Sequence, residues 1–165
     1  MSVRLTPEEA WRFVTDAHAG VVVTLRRDGT PVALPMWFAV LDRHIYVRTP
    51  ARSKKVARLR RDPRVAFLVE SGERWAELRA VHFTGRAELL DDAAVLARVE
   101  AELDRKYARF RTARVEMPER TRRHYEQAFV LIRIVPDPKF LSWDNRKLMV
   151  SGGPMRQSNR SKTPG

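Results

Sequence analysis

The chain contains no cysteine. Disulfides, thiol nucleophiles and thiolate metal ligands are excluded together, and the absence agrees with a cytoplasmic protein. Histidine is scarce as well: His18, His44, His82 and His124 are the four. Their spacing matches no metal motif, such as two histidines four apart on a helix, so no protein-bound metal is expected. No apolar run approaches the ~20 residues of a membrane-spanning helix. The opening MSVRLTPEEAWRF has neither the apolar core nor the cleavage site of a signal peptide. No membrane partner is therefore expected. A Ser-His-Asp arrangement or a catalytic carboxylate pair cannot be found either. Acids are outnumbered, with 20 Asp and Glu against 32 Lys and Arg, a net charge of +12. Such a surplus attracts polyanions or anionic ligands without saying which.

What is present fits one domain: 165 residues with a hydrophobic fraction of 44% suffice for a buried core. Residues 1–150 read as that domain. From 151 to 165 the composition turns to Gly, Ser, Pro, Asn and basic residues, which predicts a flexible basic tail.

Thr6 to His18 begins with a capping pattern and carries Ala10, Trp11, Phe13, Val14 and Ala17 at helical spacing, a packing helix. Gly20 to Leu25 is a β-branched strand, Asp28-Gly29 a hairpin turn, and Pro31 to Leu41 a long second strand apolar on both faces. Two covered faces suit a barrel with a subunit partner outside. Pro35 cannot donate to a ladder and should mark an edge or bulge. Ile45 to Arg48 is a third strand and Arg64 to Val69 a fourth. A long strand follows from Trp75 to Leu90, with Val81, Phe83, Gly85, Ala87 and Leu89 facing in. An amphipathic helix runs from Asp92 to Phe110, and a short one from Glu119 to Gln127. Ala128 to Val135 and Lys139 to Trp143 close the chain as two strands broken by Pro136-Asp137-Pro138. About six or seven strands with little βαβ alternation predict a mainly β fold, a small barrel with peripheral helices.

Between the third and fourth strands lies TPARSKKVARLRRDPR, Thr49 to Arg64. Thr49 as cap, Pro50 at the first position and Asp62-Pro63 as stop predict a short helix. Its start holds Arg52, Lys54 and Lys55 and no acid, where exposed N–H groups already carry partial positive charge. Backbone donors, the Ser53 hydroxyl and converging cations describe a phosphate site; a solvated basic helix face is the other reading of the same charges.

GVVVTLRRDGTPVALPMWFAV, then IYVRTPARSKKVARLRRDPRVAFLVE, then VHFTGRAELLDD resemble the split-barrel flavin and deazaflavin oxidoreductases, the superfamily that includes pyridoxamine 5′-phosphate oxidase. The ending IRIVPDPKFLSWDNRKL resembles a branch that uses the deazaflavin coenzyme F-420. The resemblance implies a split β-barrel homodimer with cofactor sites at the subunit interface, and an oxidoreductase acting on a small-molecule substrate. By position it assigns Lys55, Lys54, Ser53 and Arg58 to the phosphate, with Arg52 beside them. Thr24 and the backbone of Pro35, Met36 and Trp37 flank the ring, and Trp75, Trp143 and Arg146 are candidates for the partner chain's contribution. Trp75, with Trp37 and Met149, stands as a candidate substrate wall. The resemblance favours F-420 over FMN, and the cations Arg48, Arg52, Lys54 and Arg58 could also accommodate its polyanionic tail. The segment Ser142 to Lys147 lacks the arginine-rich ending by which true pyridoxamine phosphate oxidases hold substrate phosphate, which argues against vitamin B6 oxidation. Nucleic-acid binding is the rival from another class. Against it, the basic residues are spread along the chain and no stacking-aromatic motif accompanies them.

Overall fold

Seven strands, all antiparallel to their neighbours, form one curled sheet in the order β2-β1-β5-β6-β7-β4-β3. The computed structural model describes residues 2–149; the tail expected from 151 to 165 lies outside them. In chain order the elements are α1 (Pro7–Asp16), β1 (Gly20–Leu25), β2 (Pro31–Met36), β3 (Ala39–Leu41), β4 (His44–Pro50), α2 (Lys54–Arg61) and β5 (Arg64–Ser71). Then follow β6 (Arg79–Leu90), α3 (Ala93–Tyr107), α4 (Glu119–Tyr125), β7 (Phe129–Asp144) and α5 (Arg146–Met149). The mainly β split barrel is thus observed. Among the described residues no helix is long and apolar enough to cross a membrane.

Strand alternation builds the interior. Val22, Ile45, Val47, Phe67, Val81, Phe83, Ile132 and Ile134 all point into one core, closed by Ala10, Phe13 and Val14 of α1. Trp11 stacks on Phe83 with ring centroids 4.9 Å apart, the packing role its spacing predicts. On the outer face Ala39, Tyr46 and Leu131 meet Val99, Leu103 and Tyr107 of α3 in a second cluster.

Several expectations are corrected. The predicted second strand is two. β2 pairs with β1 and β3 with β4, because the chain breaks at Trp37-Phe38, where it crosses from one end of the sheet to the other. Pro35 does sit on an end strand, paired only with Val21 of β1. The two closing strands are one. Pro136 and Pro138 bend β7 rather than stop it, since the register with β6 shifts there between Phe83 and Gly85 and the prolines need donate nothing. The bend depends on Gly85, whose missing Cβ would lie 2.2 Å from the Val135 carbonyl oxygen. Trp75 starts a single turn of 3₁₀ helix (Trp75–Glu77) before β6, and α3 ends at Tyr107, three residues short of Phe110. The basic helix starts at Lys54, not near Pro50. Thr49 and Pro50 are the last residues of β4, paired with Val130 and Phe129, and the cap is Ser53, whose hydroxyl accepts the Val56 N–H at 3.3 Å.

Candidate functional site

Thr49 follows Ile45 and Val47 at period two, so its side chain points into the barrel and is buried. Helix α2 packs its Val56 and Leu59 face at the barrel end, which brings Lys55 inward beside that hydroxyl. Lys55 is only 8% exposed and donates from Nζ to Thr49 Oγ1 at 3.0 Å. One turn on, Arg58 donates from Nε to Thr24 Oγ1 of β1 at 2.7 Å, and Arg61 from Nη2 to the Leu25 carbonyl at 2.6 Å. The two threonines at the inner ends of β1 and β4 therefore anchor the two cations that α2 presents three residues apart.

Among the described residues neither Lys55 nor Arg58 has a carboxylate partner. Burial lowers the Lys55 pKa, and the neighbouring Arg58 charge lowers it further. Arg58 is lowered by burial and then by the charges of Arg26 and Arg61. Buried cations are ordinarily paired, so an uncompensated group of this kind suits an anion. A phosphate supplies the acceptors, with Ser53 and the first N–H groups of α2 close in sequence to Lys55.

The other anticipated phosphate residues divide. Lys54 and Arg52 are exposed at the start of the helix. Arg48 is not part of this mouth, because alternation turns it to the opposite face of β4. There it donates from Nε to Glu100 Oε1 at 3.1 Å and lies 3.7 Å over the Phe129 ring. Thr49 and Arg61 join the site without being marked by the resemblance. Thr49 was legible as the third inward position of its strand, and Arg61 as the residue one turn after Arg58.

Of the strand residues only Thr24 borders this mouth; Pro35 and Met36 pair with Val21 and Gly20, at the opposite end of β1 from Thr24. Thr24 is buried at the end of β1, while Pro35, Met36 and Trp37 run along end strand β2 into the break. The β2 edge away from β1 has no partner strand among the described residues. Trp37 stacks parallel on Tyr107 at 4.4 Å and 5°. Trp75, Trp143 and Arg146 are brought together elsewhere, at the far end of β6 and β7. Asn145 Nδ2 donates to the Trp75 carbonyl, and Trp143 pairs with Ala80. Arg146 is committed to its own chain, with Nε 2.8 Å from buried Asp144 Oδ1. That ion pair holds the Asp144 pKa below the usual carboxylate value.

The family model described as pyridoxamine 5′-phosphate oxidase matches residues 6–137. No curated protein matches. A conserved hypothetical protein from Mycobacterium tuberculosis is similar in structure at 33% identity, covering 95% of this chain and 96% of that one with a TM-score of 0.77. An F-420 reductase is similar at 23% identity, 82% and 98% coverage and a TM-score of 0.60. The heme storage protein HutZ from Vibrio cholerae is similar at 15% identity, 87% and 96% coverage and a TM-score of 0.64. The last two likenesses concern the fold alone.

Proposed function

The chain belongs to the pyridoxamine 5′-phosphate oxidase family, and from that premise we propose that it is an oxidoreductase binding coenzyme F-420 through the mouth formed by Lys55, Arg58, Thr24 and Thr49. The observation that carries the reading is the buried Lys55 ammonium with a hydroxyl and, among the described residues, no carboxylate beside it. When bound, a deazaflavin supplies hydride transfer. Lys55 and Arg58 hold the phosphate, Ser53 and the start of α2 donate to it, and the free edge of β2 from Pro35 to Trp37 borders the ring. Lys54, Arg52 and Arg61 extend the positive surface toward a polyanionic tail, a demand that FMN does not make.

A second copy of the chain completes the site in this reading. Pro35, Val21, Leu68, His82 and Leu141 stand in one cross-strand row on the outer sheet face. Leu141 is 66% exposed there, with Trp143 two residues on and 40% exposed. Apolar groups in a row interrupted only by His82 are what a homodimer covers. Trp143 and Trp75 would then be contributed to the neighbouring subunit, while Arg146 would first have to leave Asp144.

Titration of the purified protein with F-420, FMN, hemin and duplex DNA, followed by fluorescence, absorbance and calorimetry, separates the readings. F-420 should bind most tightly. Saturation by FMN alone would leave the site and change the cofactor. Tighter binding of hemin, or DNA binding with a steep salt dependence and no flavin-type binding, would remove the oxidoreductase reading.

A further inference from the structure

A cavity of about 740 Å³ opens on the side of β4 opposite the barrel interior. Trp37, Phe110 and Phe129 supply its rings, Leu103 and Met117 its aliphatic wall, and Arg48 its charged end. A recess of about 200 Å³ continues from Arg48 and Leu103 to Glu100, Asp104 and Arg111.

The charge in this recess is already balanced. Arg48 is paired with Glu100, and Arg111 Nη1 lies 2.5 Å from Asp104 Oδ1. A phosphate monoester, with a charge of roughly −1.5 to −2, would gain two guanidiniums and face two carboxylates in the same space. The mouth at Lys55 offers the reverse, cations without acids. The two sites thus select by different chemistry, and Trp37, which lines this cavity, ends the segment proposed above to border the ring. Aromatic walls favour a flat ring, and carboxylate lone pairs not used by arginine accept further N–H or O–H donors.

We propose that this cavity is the substrate site and takes an uncharged planar ring compound bearing a hydroxyl or amino donor, the ring against Trp37, Phe110 and Phe129 and the donor toward Glu100 and Asp104. The substrate role rests on the cofactor reading above. Phosphorylated substrates are discriminated against.

The full chain, without cofactor, is titrated with 2-naphthol by calorimetry, and 2-naphthyl phosphate is measured by its displacement of 2-naphthol, which excludes signal from the Lys55 mouth. Saturation at one site per chain is expected, with the phosphate weaker by at least about tenfold. Thr121→Trp fills the cavity from an exposed position on α4 and should weaken 2-naphthol by a similar factor. Arg12→Ser, at an exposed position on α1, should not. No saturable binding, equal displacement by the phosphate, or unchanged binding in Thr121→Trp overturns the proposal. F-420 titration of the same variants keeps the claims apart. F-420 binding without 2-naphthol binding removes the cavity proposal alone, whereas 2-naphthol binding without any flavin-type cofactor removes the substrate role together with the oxidoreductase reading.

Discussion

Tyr107 holds Phe38 by both backbone groups: its hydroxyl oxygen accepts the Phe38 N–H at 3.0 Å and lies 3.0 Å from the Phe38 carbonyl. The same hydroxyl lies 2.8 Å from the His18 carbonyl, so its proton is shared between two acceptors. α3 thereby closes the backbone gap left where β2 ends and β3 begins, and the stacked Trp37 ring is fixed beside it.

Tyr107→Phe should destabilise the fold by about 1–3 kcal/mol, because the buried Phe38 N–H loses its acceptor. Urea unfolding measures this directly. A change within a few tenths of a kcal/mol would mean that the break is held by packing alone.

Lys106 gives a pH prediction of definite sign. Its ammonium lies 3.9 Å over the Phe38 ring with no hydrogen-bond partner among the described residues. Burial lowers its pKa from 10.5 to about 8, against the opposing charges of Glu102 and Asp16 and with that of Arg105. The unfolded chain therefore binds more protons between pH 8 and 10.5, so this residue's contribution to stability rises with pH across that window and its penalty is fully present below it. Lys106→Met should be more stable than the parent at pH 7, with the advantage shrinking by pH 10. A pH-independent difference in paired unfolding curves would contradict a buried charge.

Most of the sheet is legible because period-two runs such as Val65, Phe67, Val69 and Val81, Phe83, Gly85 declare their inner face. Proline is a weaker punctuation mark in this chain than its chemistry suggests. Pro136 and Pro138 lie where β6 and β7 change register and need no ladder donor, while Pro50 ends a strand instead of starting a helix. The cofactor mouth was half visible: Lys55 and Arg58 stood out by charge, but whether a cation faces a threonine or a glutamate is decided by tertiary placement. Arg48 illustrates this, since its partner Glu100 is 52 residues away on α3.

The exposed row on the outer sheet face predicts assembly. Leu141→Glu puts a charge among Leu68, His82 and Val21, and it should convert a dimer to monomers without unfolding them. Light scattering after size exclusion tests this. A parent protein that is monomeric at micromolar concentration would remove the shared site.

The most direct test of the central claim is F-420 affinity in Lys55→Ala beside the parent, with circular dichroism to check the fold. Loss of a charge-assisted bond to phosphate should weaken binding by about 1.5–3 kcal/mol, while the fold persists because an uncompensated buried charge has been removed. Unchanged F-420 affinity in Lys55→Ala would contradict the account.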